Sequence, residues 1–354
     1  MQFLSKTAIH TSGKGPSLIY RIPGIIVTAR DTILTCCEGR SGQSDWSGEA
    51  IVSRRSEDGG LSWSEERCLV SGLGESVNNP VMIAGNDGLV HFLWQTRYRR
   101  TFYQRSLDDG RSFSPPREIT RVFDTYRTRD GIRWNVYALG PGHGIQTGGG
   151  RLVQPVWISF GEGDSHGPAV VSSIYSEDNG ETWQAGEVIP WDDRCPNMNE
   201  TTAAELSDGR VLFNIRNHSP EFLRAVSVSP DGFSRFSPCR LDPALPDPIC
   251  FGSLAAASIE GKHTLLFSNC GVRPCRENFY SRARRNLTVR LSRDDGETWP
   301  VSRRLEIGAG YSDMAVSRDG KWFYCYYEHD CSDILHSEPR HLTLAKFNLE
   351  WLED

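Results

Sequence analysis

Several charged or phenolic side chains stand where their neighbours in the sequence are apolar or form loops. They are Arg21 in Tyr-Arg-Ile-Pro, Asp45 in a Gly/Ser-rich loop, Glu200 in Asn-Glu-Thr-Thr, Arg216 in Asn-Ile-Arg-Asn, Arg284 in Arg-Arg-Asn-Leu and Tyr311 in Gly-Tyr-Ser-Asp. Planar guanidinium groups bind carboxylates, and Asp, Glu and Tyr can transfer protons. An arginine inside an apolar strand costs free energy unless it is paired, so Arg21 is better interpreted as a site residue than as a surface residue. Taken singly, each of these residues is a weak signal, since an Asp in such a loop more often forms a turn.

The elements that must position these residues are marked by a repeated turn sequence, Ser-x-Asp-x-Gly-x-x-Trp/Phe, the Asp box. Four copies span Ser56–Trp63, Ser106–Phe113, Ser176–Trp183 and Ser292–Trp299, and a degenerate copy spans Ser229–Phe233. Ser and Asp side chains bond to nearby backbone N–H groups, and Gly supplies a positive φ. The aromatic ring is expected to pack beneath the turn. Because each copy follows a short apolar run, the pattern predicts β-hairpins with strongly specified turns.

The spacing of the copies predicts an all-β fold, a six-bladed β-propeller with Asp-box turns. A unit of roughly 50 to 70 residues is the size of one four-stranded blade with variable loops, and this chain would hold about six of them. No linker or low-complexity tract interrupts the copies, so residues 1–354 are expected to form a single domain. The C-terminal run 342–347 is expected to join the first blade and close the ring. A two-sheet sandwich is the alternative, but it does not need one turn repeated at blade-length intervals.

Composition and charge narrow the class of protein further. The formal net charge of −6 and the isoelectric point near 5.9 argue against a nucleic-acid-binding protein. No apolar run has the length of a membrane span, and the N-terminus lacks the apolar core of a signal peptide. The chain is therefore expected to be cytoplasmic, or secreted and shown without its leader. The ten cysteines include no Cys-x-x-Cys pair, which argues against zinc, and Cys270 and Cys275 could form a disulfide across a short loop.

The order of the motifs resembles that of one known family. The chain carries Tyr-Arg-Ile-Pro, Cys-Glu-Gly-Arg, an Asp loop, four Asp boxes, Asn-Glu followed by Glu-Leu-Ser-Asp-Gly-Arg and Asn-Ile-Arg-Asn, then Arg-x-Asn-Leu and Gly-Tyr-Ser-Asp. This set resembles the exo-sialidases (neuraminidases) of the bacterial and animal type, and the resemblance covers essentially the whole chain. Members of that family are six-bladed propellers, in agreement with the blade count reached from the turns.

The resemblance implies a triad of arginines that binds the carboxylate of the substrate. The matching positions are Arg21, Arg216 and Arg284. Arg282 and Arg285 are close rivals for the third position. Arg284 is preferred because the family's arginine stands three residues before a leucine, here Leu287.

The resemblance also implies catalytic roles for three other residues. Tyr311 matches the nucleophile, and Glu200 matches the glutamate that activates it, with Glu205 as the alternative. The family's glutamate directly follows an Asn, as Glu200 does. Asp45 matches the general acid/base, although its Ser-Asp-Trp-Ser setting departs from commoner members.

Supporting positions follow from the same resemblance. Glu328 matches the glutamate that braces the first arginine, since three clustered cations repel one another and need a nearby carboxylate. Arg40 and Asn79 match positions near the 4-hydroxyl group of the sugar. Independently of the resemblance, His143 and His218 are interpreted as hydrogen-bonded loop residues rather than as catalysts.

The activity that the resemblance implies is a retaining exo-α-sialidase. It would remove terminal sialic acids from glycoproteins, glycolipids and oligosaccharides, without a metal or organic cofactor. A tyrosine nucleophile is a known exception among retaining glycosidases, and a neutral phenol avoids repulsion by the anomeric carboxylate of the substrate. Two alternatives stay open: a hydrolase or trans-glycosidase for a related nonulosonic acid such as KDN, and a non-catalytic Asp-box propeller that binds glycans.

Overall fold

Short apolar strands separated by Gly- and Asp-rich turns fold, in the computed structural model, into antiparallel sheets arranged as propeller blades. The structure describes residues 1–72, 74–129, 132–159, 167–274, 284–331 and 339–354. These residues form six sheets of four or five strands and one two-stranded sheet. The all-β, six-bladed architecture predicted from the turn repeats is therefore confirmed.

The strands are numbered in chain order. The first sixteen are β1 (Leu4–Thr11), β2 (Ile19–Val27), β3 (Ile33–Arg40), β4 (Gly48–Ser56), β5 (Arg67–Ser71), β6 (Val77–Ala84), β7 (Val90–Thr96), β8 (Arg100–Ser106), β9 (Arg117–Glu118), β10 (Thr128–Arg129), β11 (Ile132–Arg133), β12 (Val136–Leu139), β13 (Ile145–Gln146), β14 (Leu152–Ser159), β15 (Ala169–Ser176) and β16 (Gln184–Ala185). The remaining strands are β17 (Thr201–Glu205), β18 (Val211–Ile215), β19 (Leu223–Ser229), β20 (Arg240–Pro246), β21 (Ser253–Ile259), β22 (Lys262–Cys270), β23 (Leu287–Ser292), β24 (Val301–Glu306), β25 (Ala309–Val316), β26 (Phe323–Cys331) and β27 (Pro339–Phe347).

Helical structure is limited to two short elements in the described residues. A 3₁₀ helix spans Thr120–Tyr126, and the α-helix α1 spans Leu349–Glu353. No helix in this part of the chain is long and apolar enough to cross a membrane.

The first strands of neighbouring blades pack against one another and form the inside of the ring. Strand β2 contacts β6 and β25, and β21 contacts β17 and β25. These inner strands are buried along most of their length, as β6 is from Val77 to Ile83. A polar side chain on such a strand faces a low-dielectric interior and needs a partner or a ligand. Polar residues on the inner strands are therefore candidates for function.

The ring closes through the N-terminal strand. Strand β1 pairs antiparallel with β27, from Leu4 opposite Phe347 to Thr11 opposite His341. The prediction that the run 342–347 joins the first blade was wrong, because this run lies between β1 and β26 in the last blade, while β2 to β5 complete the first. The pairing covers the edge of β27, which would otherwise present unpaired backbone groups to solvent.

The first Asp box shows how its residue types specify the turn. Ser56 Oγ accepts a hydrogen bond from Gly60 N at 2.8 Å and donates one to Asp58 Oδ1 at 2.8 Å. The Asp58 carboxylate accepts from Ser62 N at 2.9 Å and from Ser62 Oγ at 2.6 Å. Gly60 has a φ of 89°, which L-residues with a side chain rarely adopt. Trp63 packs against the apolar interior between blades, as expected of the aromatic position.

Each Asp box lies at the same place in its blade, between the third and fourth strands. The four clear copies join β4 to β5, β8 to β9, β15 to β16 and β23 to β24, and the degenerate copy joins β19 to β20. In that copy Ser229 Oγ still accepts from Gly232 N at 2.9 Å and donates to Asp231 at 2.9 Å. In the last blade, the third and fourth strands are β27 and β1, the two ends of the chain. That blade therefore has no turn at which a box could form.

We predict that Asp294→Ala lowers the free energy of unfolding by about 1 to 2 kcal/mol without changing the architecture, because three hydrogen bonds of an exposed turn are lost. Asp294 accepts from Ser292 Oγ, from Thr298 N and from Thr298 Oγ1, at 2.7, 2.9 and 2.6 Å. Urea unfolding followed by circular dichroism measures the change. The control is Glu297→Ala in the same turn, whose ion pair with Arg240 is exposed and worth little. Equal stability of the two variants would contradict the assignment of Asp294 as the residue that specifies the turn.

The described cysteines are free thiols. Nine cysteines lie among the described residues, and all nine are free. Cys275, and with it the predicted bridge to Cys270, lies outside the described residues. Within the same part of the chain, no three His, Cys, Asp or Glu side chains form a group that could hold a metal ion.

Candidate active site

Three inner strands carry a β-bulge beside a residue singled out from the sequence. The register shifts between Arg21 and Gly24 on β2, between Asn78 and Val81 on β6, and between Ala309 and Ser312 on β25. Ile22 and Asn79 have positive φ values of 61° and 44°. A bulge bends its strand and re-aims the local side chains. The bulges therefore orient Arg21, Asn79 and Tyr311 at the positions where regular pairing is broken.

Tyr311 lies at the centre of the site. The residue is 5% exposed, and its phenol donates a hydrogen bond to Glu200 Oε1 at 2.6 Å. Arg216 Nη1 donates to the phenol oxygen at 2.7 Å and also to Glu200 Oε2. Burial raises the pKa of Tyr311 above its usual value and Glu200 adds to this, while Arg216 and Arg284 act in the opposite direction. The phenol is therefore protonated at neutral pH, with a carboxylate placed to accept its proton.

Three arginines from three different blades surround the ring of Tyr311. The guanidinium carbons of Arg21, Arg216 and Arg284 lie 5.3, 6.0 and 4.9 Å from the ring centroid. All three side chains are partly exposed, so a ligand could reach them. Of the two rivals for the third position, Arg285 is exposed, and Arg282 lies outside the described residues.

Glu328 joins the first arginine to the backbone of the central tyrosine. Its carboxylate accepts from Arg21 Nε at 2.9 Å, from Arg21 Nη2 at 3.3 Å and from Tyr311 N at 3.1 Å. Burial alone would raise the pKa of Glu328, but Arg21 holds it below its usual value, so the carboxylate is charged. A Cβ on Gly310 would stand 2.4 Å from Glu328 Oε2. Glycine at this position therefore allows the close approach of the carboxylate.

Asp45 lies on a loop next to Arg21. Its side chain is 40% exposed, and its Oδ1 accepts from Arg40 Nη1 at 2.9 Å and lies 4.0 Å from Arg21 Nη1. Its backbone carbonyl accepts from Asn78 Nδ2 at 2.9 Å. Asp45 thus lies beside Arg21, and the guanidinium of Arg21 in turn lies over the ring of Tyr311, the partner of Glu200.

Arg40 and Asn79 both contact Glu38, a residue to which the sequence analysis gave no role. Arg40 is fully buried, and its Nε donates to Glu38 Oε2 at 2.6 Å. Asn79 donates its backbone N–H to Glu38 Oε1 at 2.7 Å and its side-chain amide to the Leu139 carbonyl at 2.7 Å. The signal was present in the sequence, because Glu38 and Arg40 are two residues apart in an apolar strand and so face the same side of it.

Arg224 is a second buried charge that the sequence analysis missed. It is fully buried on β19 and donates to Asn214 Oδ1 at 2.7 Å, to the Cys250 carbonyl at 2.9 Å and to Asp247 at 3.3 Å. Asn214 is two residues before Arg216. Arg224 therefore fixes the segment that carries one arginine of the site, and its position within an apolar strand could have indicated this.

The remaining candidates make other contacts. Glu205, the alternative to Glu200, accepts from Gly148 N at 2.8 and 3.0 Å. His143 Nδ1 pairs with Asp313 at 2.8 Å, and the ring of His218 lies 3.2 Å from the side-chain amide of Asn197. Both histidines are hydrogen-bonded, in agreement with their interpretation from the sequence.

A cavity of about 540 Å³ opens beside Glu200 and Arg216. Its wall combines one large aromatic ring with amide and imidazole groups. The lining residues are Trp157, Gly167, Pro168, Asn197, Asn199, Glu200, Arg216 and His218. The cavity therefore offers space for a small polar ligand beside Arg216, one of the three clustered arginines.

The fold and the site define a class of protein, an Asp-box propeller with a buried tyrosine–glutamate pair among arginines. The chain belongs to the family of the BNR repeat-like domain, whose model matches residues 31–324.

Curated relatives carry sialidase names. The sialidase of Micromonospora viridifaciens is 30% identical over 365 aligned residues, which cover 94% of this chain and 52% of that protein. The sialidase of Bacteroides fragilis is 26% identical, with 85% of this chain and 58% of that protein covered. This chain therefore spans little more than half the length of these relatives.

Several solved structures of similar fold also carry sialidase names. A Hadza microbial sialidase has a TM-score of 0.80 at 24% identity, covering 98% of this chain and 69% of that chain. Trypanosoma rangeli sialidase has a TM-score of 0.75 at 18% identity, covering 99% of this chain and 60% of that chain. The resemblance stated from the sequence motifs is confirmed.

Proposed function

We propose that this protein is a retaining exo-α-sialidase that removes terminal sialic acids from glycoconjugates. The observation that carries the proposal is the convergence of three arginines on a tyrosine that is hydrogen-bonded to a glutamate. Sialosides carry a carboxylate on the anomeric carbon, so the cation cluster and the nucleophile would act on adjacent atoms of the substrate. The sialidase names of the curated relatives support the same reaction.

Arg21, Arg216 and Arg284 would bind the carboxylate of the substrate. Guanidinium groups match carboxylate geometry with paired, charge-assisted hydrogen bonds. Glu328 and Glu200 each neutralise one of the arginines in the unliganded site. This limits the mutual repulsion of the three cations before an anionic ligand arrives.

Tyr311 would attack the anomeric carbon as the nucleophile. Its hydroxyl proton passes to Glu200, to which it is already bonded. The tyrosine oxygen forms a bond to the anomeric carbon as the glycosidic carbon–oxygen bond breaks. Because burial keeps the phenol protonated in the resting site, attack and proton transfer are coupled rather than sequential.

Asp45 would supply the proton to the leaving oxygen and then take a proton from water. That water replaces the tyrosine oxygen on the anomeric carbon, and Glu200 returns its proton to Tyr311. Two displacements on one carbon give a product with the configuration of the substrate. In this proposal, the 4-hydroxyl of the sugar lies on the side of the site that holds Arg40 and Asn79.

A fluorogenic aryl sialoside and sialyllactose, each followed by proton NMR, test the proposal. The expected result is release of sialic acid from both, with the α-anomer as the first product before mutarotation. Release of the β-anomer first would contradict the retaining mechanism. An absence of turnover of both substrates would contradict the sialidase activity itself.

We predict that Asp45→Ala lowers kcat/KM for sialyllactose about 10²- to 10⁴-fold, the usual contribution of a general acid. The aryl sialoside has a better leaving group that needs less protonation, so the decrease in kcat/KM for this substrate is expected to be at least tenfold smaller. Ser44→Ala, on the same loop, is the control. Equal losses for the two substrates would contradict the assignment of Asp45 as the acid.

A further inference from the structure

We infer that Glu38, acting through Arg40, is a positioning residue for Asp45 that sets its orientation and its charge environment. The inference rests on the proposed function, in which Asp45 is the general acid/base. It goes beyond the sequence resemblance, which placed Arg40 near the 4-hydroxyl group of the sugar and gave Glu38 no role.

The contacts of Arg40 are directed at the loop that carries Asp45. Its Nη1 donates to Asp45 Oδ1 at 2.9 Å and lies 3.5 and 3.4 Å from the carbonyl oxygens of Gln43 and Ser44. Its guanidinium is fully buried. A partly exposed loop carboxylate is therefore joined to a fully buried cation that is itself part of strand β3.

Glu38 is the group that holds this cation in place. Its Oε2 accepts from Arg40 Nε at 2.6 Å, and its Oε1 accepts from Asn79 N at 2.7 Å, at the bulge of strand β6. Glu38 is 0% exposed. The carboxylate thus ties the first blade to the second at the base of the Asp45 loop.

A buried Glu–Arg pair is a poor device for stability, because removing both charges from water costs about as much as their attraction returns. In proteins generally, apolar residues of similar volume can often replace a buried ion pair without loss of stability. We therefore interpret the pair as fixing a positive charge next to the carboxylate of Asp45, whose Oδ1 lies 2.9 Å from Arg40 Nη1.

The charged and titratable groups that face Asp45 determine in which direction its pKa shifts when one of them is removed. Arg40 and Arg21 are positive and favour the ionised carboxylate. Glu38 and Tyr98 also interact electrostatically with Asp45, and Glu38 opposes its ionisation. Removal of the negative charge of Glu38 should lower the pKa of Asp45, and removal of the positive charge of Arg40 should raise it.

The two single variants are therefore expected to shift the pH profile in opposite directions. The protonated form of Asp45 is needed as the acid, so the basic limb of kcat/KM for sialyllactose follows its pKa. We expect Glu38→Gln to move this limb by about one pH unit to lower pH, and Arg40→Met to move it by about one unit to higher pH. A purely structural role would lower activity without moving the limb.

Three further measurements complete the test. Glu49→Gln, an exposed residue on the strand that follows the loop, is the control and should leave the profile unchanged. Carbon NMR of aspartate-labelled protein measures the pKa shifts of Asp45 directly, without substrate turnover. The Asp45 carboxyl signal is assigned by its absence in Asp45→Asn. If Glu38→Gln does not fold, the double variant Glu38→Gln/Arg40→Met leaves no unpaired buried charge. The double variant should lose at least tenfold more kcat/KM for sialyllactose than for the aryl sialoside.

Three results would overturn the inference while leaving the proposed function intact. The first is that the wild type turns over sialosides but neither single variant shifts the NMR titration of Asp45. Another is a rise in KM for Arg40→Met with an unchanged pH profile, which would make Arg40 a substrate contact. The third is a double variant with equal losses for both leaving groups. A wild type that turns over no sialoside contradicts the proposed function instead, and the NMR titration then still decides whether Glu38 and Arg40 control Asp45.

Discussion

Tyr311→Phe is expected to lower kcat/KM for sialosides about 10²- to 10⁴-fold while leaving the fold intact, because it removes the proposed nucleophile and little else. The phenylalanine ring can keep the contact of Tyr311 with Phe251, whose ring centroid lies 5.7 Å away. The ion pair between Arg216 and Glu200 does not depend on the phenol. The steady-state rates of the fluorogenic sialoside measure the loss.

Tyr327→Phe is a matched control for this experiment. Tyr327 is also a buried tyrosine, on the neighbouring strand β26, and its hydroxyl donates to Glu306 at 3.2 Å rather than to a site residue. We expect this variant to lose some stability and to keep its activity. Equal turnover by wild type and Tyr311→Phe would contradict the assignment of Tyr311 as nucleophile.

Arg284→Leu is expected to lower kcat/KM about 10²- to 10³-fold, mainly through a higher KM. A charge-assisted hydrogen bond to a ligand is worth about 1.5 to 3 kcal/mol, and the partner is left unpaired when one side is removed. Calorimetric titration with an unsaturated sialic acid analogue should show the same loss, because a carboxylate is bound equally in the inhibitor and the substrate.

The neighbouring residue provides the control for this prediction. Arg285 has the same side chain, is one position further along the chain and is exposed. We expect Arg285→Leu to change neither KM nor inhibitor affinity by more than about twofold. A large loss in Arg285→Leu, with a small one in Arg284→Leu, would show that the third arginine is assigned wrongly.

The arrangement of the site explains why its residues come from distant parts of the chain. A propeller brings the first strand of every blade to the centre, so Arg21, Tyr311 and the segment of Glu200 can meet although about 100 to 300 residues separate them in the chain. The Asp boxes have a structural role instead. They specify the turn between the two outer strands in five of the six blades and contribute no group to the site described above.

The blade count and the class of the protein were determined by the sequence itself. Local hydrogen bonding within eight residues defines an Asp box, so Ser, Asp, Gly and an aromatic residue at fixed spacing predict it without knowledge of the fold. Repetition of this turn then indicates a ring of similar blades. The order of motifs around Arg21, Asp45, Glu200 and Tyr311 identified the family for the same reason, since motif order needs no contacts.

The closure of the ring, the bulges and the choice of partners for buried charges were decided by tertiary structure. Whether β27 pairs with β1 or with the first blade depends on which edge is free after all the blades have formed, and no local pattern encodes that. The bulges at Arg21, Asn79 and Tyr311 lie on inner strands of different blades, where β2 packs against β6 and β25. The path from Glu38 through Arg40 to Asp45 joins strand β3, strand β6 and a loop, and a buried charge is paired by whichever group the packing brings within reach.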